Sequence, residues 1–261
     1  MLDSVAGAAE RPGGAVWYCA RALGQIDPDA DVALVCRSSV DDRDALVPGL
    51  ERFGFPVVWR PGARTTRFSF HYEGEQRIMR IDDLADPWTP DDIDGWVGDE
   101  IADAPWVIVG ALTRTDFPLE TFAALTARGH QLVVDAQGLV RHGRIGPLVS
   151  DGTFDREILQ HVAVLKLNDE EAHELCGGID EESLRSLGIP EVVLTLGSDG
   201  AVIISGEVTT RVDAVPVEGP VDPTGAGDSF LVSYAVARQA GADAKEAGVL
   251  ASRFVSTIIA R

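Results

Sequence analysis

VDPTGAGDSF, residues 221–230, is the stretch on which the reading of this chain turns. Gly225, Ala226 and Gly227 present almost bare backbone, and Asp228 sets a carboxylate directly after them. Glycine-rich loops that open a helix offer N–H groups to phosphate, which is an anion. A carboxylate at the end of such a loop therefore needs its own explanation.

Three readings compete. A glycine-containing turn before a helix explains the glycines and leaves Asp228 without a role. A dinucleotide fingerprint fits poorly, because Phe230 stands where the third glycine belongs and Pro216, Pro220 and Pro223 interrupt the preceding strand. Asp228 would also face the pyrophosphate oxygens, a like-charge contact. In the third reading, backbone N–H groups of Gly225, Ala226 and Gly227 form an anion hole for charge developing during phosphoryl transfer. Asp228 then serves the acceptor: within hydrogen-bond reach of a substrate hydroxyl, it takes the proton as that oxygen attacks. The carboxylate belongs there if the reaction phosphorylates an alcohol.

Outward from the loop, short apolar runs alternate with helical patterns, as in βαβ units around a parallel sheet. DVALVC (31–36), WVIVGAL (106–112), QLVVDA (131–136), VAVLKLN (162–168) and EVVLTLG (191–197) read as buried strands. Most end at a polar residue or glycine, where open α/β sheets place ligands. DDRDALVPGLERFG, LETFAALTARG and EESLRSLG read as helices with glycine stops. Near the end of the chain, Leu250, Phe254 and Ile258 fall four apart on one helical stripe. Residues 65–81 break the alternation. Phe68, Phe70 and Tyr72 recur at period two, a turn follows at Glu73 to Glu75, and Arg77, Met79 and Ile81 alternate after it. That is a hairpin, expected to act as a lid or a dimer contact unless it is an ordinary sheet edge.

Composition narrows the function classes. The 261 residues are 45% hydrophobic, enough for a full core, and carry a formal charge of −20, which argues against nucleic-acid binding through phosphates. Three cysteines without metal-type spacing point to a reducing cytoplasm. The first residues lack a signal-peptide pattern, and no apolar run approaches the ~18 residues of a membrane span.

DPTGAGDSF resembles the C-terminal signature of the ribokinase-like (PfkB) carbohydrate kinases, in which the aspartate acts as base. PGGAVWYCARAL (12–23) is similar to the family's N-terminal glycine pair, here Gly13 and Gly14, where small residues approach the substrate. KLNDEEAHEL (166–175) contains Asn168 and Glu171, matching the Asn-x-x-Glu motif that supports magnesium near the phosphates, directly or through water. Taken alone, the same pair is an ordinary helix start with Asn168 as N-cap. LTLGSDGAVI (194–203) resembles the strand and turn beside the nucleotide, through Thr195, Gly197 and Gly200. Asp222 and Thr224 match positions that hold a monovalent cation, so the resemblance implies potassium; a plain Asp-Pro turn is the competing reading.

The resemblance implies an α/β fold, a doubly wound, mostly parallel sheet flanked by helices. It would be one kinase domain over residues 1–261, with a small β lid hairpin at about 65–81 and dimerisation through that lid. It also implies ATP and Mg2+ as cofactors. Asp135, Gln137 and Arg141, just past a strand end, would contact a sugar, polyol or nucleoside, and a neutral polyol or sugar is favoured. Asp3 matches the acidic residue that touches the sugar. Only Met1 and Leu2 precede it, too few for the full first strand usual in the family. A kinase-like fold that only binds its ligand is the remaining alternative, although no catalytic group is missing.

Overall fold

The computed structural model of the protein describes residues 1–5, 9–73 and 76–260, with side chains described outside 72–77. The strands, in chain order, are β1 (Leu2–Val5), β2 (Arg11–Pro12), β3 (Leu34–Ser38), β4 (Val57–Pro61), β5 (Arg67–Glu73) and β6 (Gln76–Asp83). They continue as β7 (Trp106–Val109), β8 (Gln131–Asp135), β9 (Gly146–Pro147), β10 (Val162–Asn168), β11 (Glu191–Thr195), β12 (Ala201–Ser205) and β13 (Val208–Val212). The helices that matter here are α1 (Ala15–Ile26), α2 (Arg43–Glu51), α3 (Leu119–Ala127), α4 (Gln137–Val140), α5 (Asp169–Cys176), α6 (Glu181–Arg185), α7 (Ala226–Gln239) and α8 (Ala244–Ile259).

The apolar runs build the main sheet, in the order β13-β12-β11-β10-β8-β7. β7, β8, β10 and β11 are parallel, and β12 and β13 add an antiparallel edge. Runs apolar on consecutive residues are needed because helices cover both faces. Leu132, Val134, Leu165, Leu167, Val192 and Leu194 pack on one side with Phe122 and Leu125 of α3 and Ala172 and Leu175 of α5. Val133, Val164 and Val193, one residue out of phase, pack on the other side against Phe230, Leu231 and Tyr234 of α7. That is the doubly wound arrangement.

The hairpin is part of something larger than expected. β5 and β6 pair antiparallel, but β1 joins β5 in parallel, giving a five-stranded sheet β2-β1-β5-β6-β9. The opening residues therefore do form a strand, a short one, in the smaller sheet. Phe68, Phe70 and Ile81 are buried within the chain itself. An isolated hairpin would have needed a partner to cover it; this one has three further strands and a buried apolar face. On its other face, Arg67 donates to Glu10 at 3.0 Å and Asp42 at 2.6 Å. The Tyr72 and Arg77 side chains and the expected turn tip at 74–75 lie outside the described residues.

The stripe expected on α8 is also displaced. Ala247, Gly248 and Ala251 are buried, whereas Leu250 is 49% exposed. The reason is close approach: a Cβ at Gly248 would stand 2.3 Å from Ile203 Cδ1. Small residues let this helix press on β12, and the large apolar residues flank the contact.

Candidate active site

Strand register brings the polar ends of the main sheet together. Lys166 lies beside Asp135, and Asn168 beside Thr195, at the carboxyl edge where such sheets bind ligands. Alternation turns Asp135 and Lys166 toward the face that α7 covers. Lys166 Nζ donates to Asp135 Oδ2 at 2.8 Å, and each side chain is 7% exposed. Burial opposes the ammonium charge, but Asp135, Glu171 and Asp228 outweigh it and raise the lysine's pKa. The second Asp135 oxygen accepts from the Gln137 backbone N–H at 3.0 Å, while the Gln137 amide reaches Ala111 O. Both oxygens of Asp135 thus have partners within the protein.

The glycine loop sits over this pair. Gly225 is the N-cap of α7 with φ of 78°, a left-handed conformation that favours glycine. Tyr18 of α1 presses against it, and a Cβ at Gly225 would lie 2.4 Å from Tyr18 Cδ1. Gly227 keeps the backbone just as close to Lys166, whose Nζ would be 3.0 Å from an added Cβ. The Ala226 N–H donates back to Pro223 O at 3.0 Å, so donors for an incoming anion are to be sought at Gly225 and Gly227. Thr224 N donates to Asp222 Oδ1 at 3.1 Å and closes the turn.

Asp228 stands in the first turn of α7. Its Oδ1 is sealed from solvent with no hydrogen-bond partner among the described residues. Burial pushes its pKa up to about 7; Asp135 pushes the same way, and Lys166 and Arg141 pull it back. A buried acceptor without a donor is costly and rare. Arg141, just after α4, is near enough to act on both Asp228 and Glu171.

The remaining expected site residues divide by location. Asn168 and Glu171 form the capping box of α5: Asn168 Oδ1 accepts from Glu171 N at 2.8 Å and Glu171 Oε2 from Asn168 N at 2.9 Å. Glu171 is buried, which raises its pKa against the pull of Lys166. Thr195 Oγ1 donates to Leu167 O at 3.2 Å; Gly197 and Gly200 shape the turn after β11. Asp3 is 6% exposed in β1, and Gly13 must be glycine because a Cβ there would be 2.0 Å from Asp3 Oδ2. Gly14 starts α1 with φ of 82°.

Among the described residues no group of three His, Cys, Asp or Glu side chains could hold a metal ion. Magnesium at phosphoryl-transfer sites is commonly held by substrate phosphates and water with one or two carboxylates. Of Glu171's two carboxylate oxygens, Oε2 is taken by the cap bond. Lys166 and Tyr18 were not singled out from sequence. One signal was available for the lysine: it is the lone charge within an apolar strand.

The pfkB family carbohydrate kinases match the chain over residues 59–261. A nucleoside kinase of Methanothermobacter thermautotrophicus is 40% identical over 94 residues, 35% of this chain and 30% of that protein. An inositol 3-kinase of Oryza sativa is 30% identical over 150 residues, 54% of this chain and 36% of its own length. The aligned parts thus cover only about a third of these curated relatives. Among solved structures, a pyrophosphate-dependent kinase in the ribokinase family superposes with a TM-score of 0.83 at 22% identity, covering 99% of this chain and 91% of the other. Ribokinase from Thermotoga maritima gives 0.76 at 20% identity, covering 100% and 90%. At such identities the likeness speaks for the fold, a ribokinase fold with sheets flanked by helices. No helix among the described residues is long and apolar enough to cross a membrane, and all three cysteines are free. With the family profile covering most of its length, the chain belongs to the pfkB family of carbohydrate kinases.

Proposed function

We propose that the protein transfers the γ-phosphate of ATP to a hydroxyl of a small sugar or polyol, with Asp228 as general base. The observation that carries this reading is the sealed, partnerless Oδ1 of Asp228 at the start of α7, directly after a backbone bare of side chains. An acceptor hydroxyl hydrogen-bonded to Oδ1 would complete that carboxylate and lose its proton there as its oxygen attacks phosphorus. A carboxyl with pKa near 7 is matched to the task, ionised often enough and basic enough at neutral pH.

The other residues take supporting roles. Gly225 and Gly227 offer N–H groups to the transferred phosphoryl oxygens, and Lys166 beneath them supplies a fixed positive charge. Arg141 adds a second charge at the rim. Magnesium, when bound with the nucleotide, neutralises phosphate oxygens, and Glu171 would orient its water shell. Asp3 and Gly13 form the acceptor floor, with Asp135 and Gln137 nearby. Asp135 acts first as the counter-ion of Lys166. Thr195, Gly197 and Gly200 border the nucleotide side, and the five-stranded sheet covers the acceptor against water.

Two observations favour second readings. Beside Gly13 and Gly14 lies a cavity of about 120 Å³ whose lining includes Trp17, Trp59, Trp88 and Phe117; that aromatic lining favours a nucleoside acceptor. The structural neighbours with TM-scores of 0.83 and 0.80 are pyrophosphate-dependent, which favours pyrophosphate over ATP as donor. One assay separates all of these. Purified protein with Mg2+ and labelled ATP or pyrophosphate is offered polyols, sugars and nucleosides, and the labelled product is identified. Label on a sugar or polyol is expected; label that stays in the donor across the panel would leave a ligand-binding protein, and label released only as inorganic phosphate would leave a hydrolase.

A further inference from the structure

The monovalent-cation position implied by Asp222 and Thr224 opens into a polar cavity of about 200 Å³. Its walls do not suit a cation. Besides Asp222 and Thr224 its lining holds two arginines, Arg11 from β2 and Arg21 from α1, together with Tyr18. Neither arginine has an ion-pair partner among the described residues. One Asp222 oxygen already accepts from Thr224 N, while Arg21 Cζ lies 5.6 Å from the Tyr18 ring centre. In a chain with formal charge −20, two unmatched arginines at one cavity are conspicuous. Guanidinium groups present planar pairs of donors that match phosphate and carboxylate oxygens.

The cavity also lies on the acceptor side of the reaction centre. Arg11 is the register partner of Asp3 across the β1–β2 pair. Tyr18 packs on Gly225, and Asp3, Arg11, Asp228 and Arg21 are all close enough to act on its hydroxyl. Neither the donor-side residues Lys166, Asn168 and Thr195 nor Asp3, Gly13 and Asp228 line the cavity itself; Tyr18 is what joins it to the reaction centre.

We propose that this cavity is an oxyanion subsite, in place of a potassium site, that holds a phosphate or carboxylate group carried by the acceptor. This rests on the kinase reading above and narrows it: the sugar or polyol is itself anionic. Arg11 and Arg21 grip the anionic end, Tyr18 lies along the molecule, and the free hydroxyl at the other end reaches Asp228.

The test compares a matched set of acceptors, a neutral polyol, its phosphate ester and its sugar acid, in parent protein, Arg21→Gln and Arg11→Gln. Arg43→Gln, which removes an exposed positive charge elsewhere, controls for the overall field. An anionic member is expected to exceed the neutral one in kcat/KM by about tenfold or more, as for a charge-assisted hydrogen-bond pair. That preference should collapse in the Arg21 and Arg11 variants through acceptor KM, with donor KM as in the parent, and persist in Arg43→Gln. Whichever anionic member leads identifies phosphate or carboxylate. Independently of turnover, inorganic phosphate should raise the Tm of the parent more than that of Arg21→Gln. KCl, NaCl and tetramethylammonium chloride at equal ionic strength should give the same Tm. A neutral acceptor preferred by the parent, equal losses on all acceptors in Arg21→Gln, or a Tm rise specific to K+ would overturn the proposal. Failure of every acceptor with phosphate binding still dependent on Arg21 would sink the kinase reading and leave the anion site standing.

Discussion

Two carboxylates meet helix α7 at opposite ends, and they are treated in opposite ways. At the far end, Glu191 of β11 accepts from Tyr234 OH at 2.6 Å, Arg238 Nε and Nη2 at 3.0 Å each, and Ser205 Oγ at 2.9 Å. Its side chain is only 6% exposed, and every direction is met by a donor. At the near end, Asp228 is enclosed as well, yet its Oδ1 meets none. Burial alone therefore does not mark a functional carboxylate. The difference is satisfaction: Glu191 clamps the helix to the sheet, which fixes where Asp228 stands, and Asp228 keeps one oxygen without a donor, which the proposed function fills with the acceptor hydroxyl. A protein tolerates such a cost where the missing partner arrives with the substrate.

If the comparison is sound, its two ends break differently. Asp228→Asn should give the largest effect, a fall in kcat of ~10²–10⁴ with nucleotide affinity retained, since the amide cannot take the proton. Stability should move the other way. The raised pKa means the folded state holds its proton more tightly than the unfolded chain, so stability is lost as pH climbs from about 4 to about 7. The asparagine variant should melt above the parent at pH 8, with the gain shrinking toward pH 4. Glu191→Gln should instead cost roughly 2–3 kcal/mol of stability, less than a fully buried pair because Arg238 is partly exposed. Its kcat per folded molecule should stay near the parent's; a rate loss matching that of Asp228→Asn would erase the distinction.

Smaller effects sharpen it. Lys166→Met removes the charge beneath Gly227 and leaves Asp135 buried without its counter-ion, so kcat should fall about tenfold and Tm should drop. Adding Asp135→Asn should recover Tm and leave kcat low; full recovery of rate would make the pair purely structural. Replacing residues 69–79 by a short glycine–serine link removes most of β5 and β6, so in a variant that keeps a cooperative melt it should raise acceptor KM and the ratio of hydrolysis to transfer. Because Phe68 and Phe70 are buried within the chain, sedimentation of the parent and the deletion variant shows whether a second copy uses this sheet at all.

Much of this was legible in the chain. VAVLKLN is a strand over the residues expected, since seven residues that are nearly all apolar and end at a helix-capping Asn leave little choice. Asp228 after an almost bare backbone could be singled out because glycine spacing and charge are local facts. What was hidden depends on contacts between distant segments. The parallel pairing of Leu2–Val5 with β5 cannot be read from four residues, nor can the joining of the hairpin into a five-stranded sheet. The buried face of α8 runs through alanine and glycine because Ile203 and Val212 leave no room, so a search for large apolar residues picked the flank. That Arg11 and Arg21 line one cavity with Asp222 and Thr224 likewise needed the fold, because it joins the first residues of the chain to the glycine loop.

The central claim is that Asp228, raised to neutrality by burial and left one partner short, is the base. The pH dependence of kcat/KM for product-identified transfer, measured on the parent and Asp228→Asn together, tests it most directly. The account expects an acid limb in the parent with an apparent pKa near 7 and no such limb in the residual activity of the variant. A limb that survives unchanged in Asp228→Asn would contradict it, because the titrating group would then be another residue.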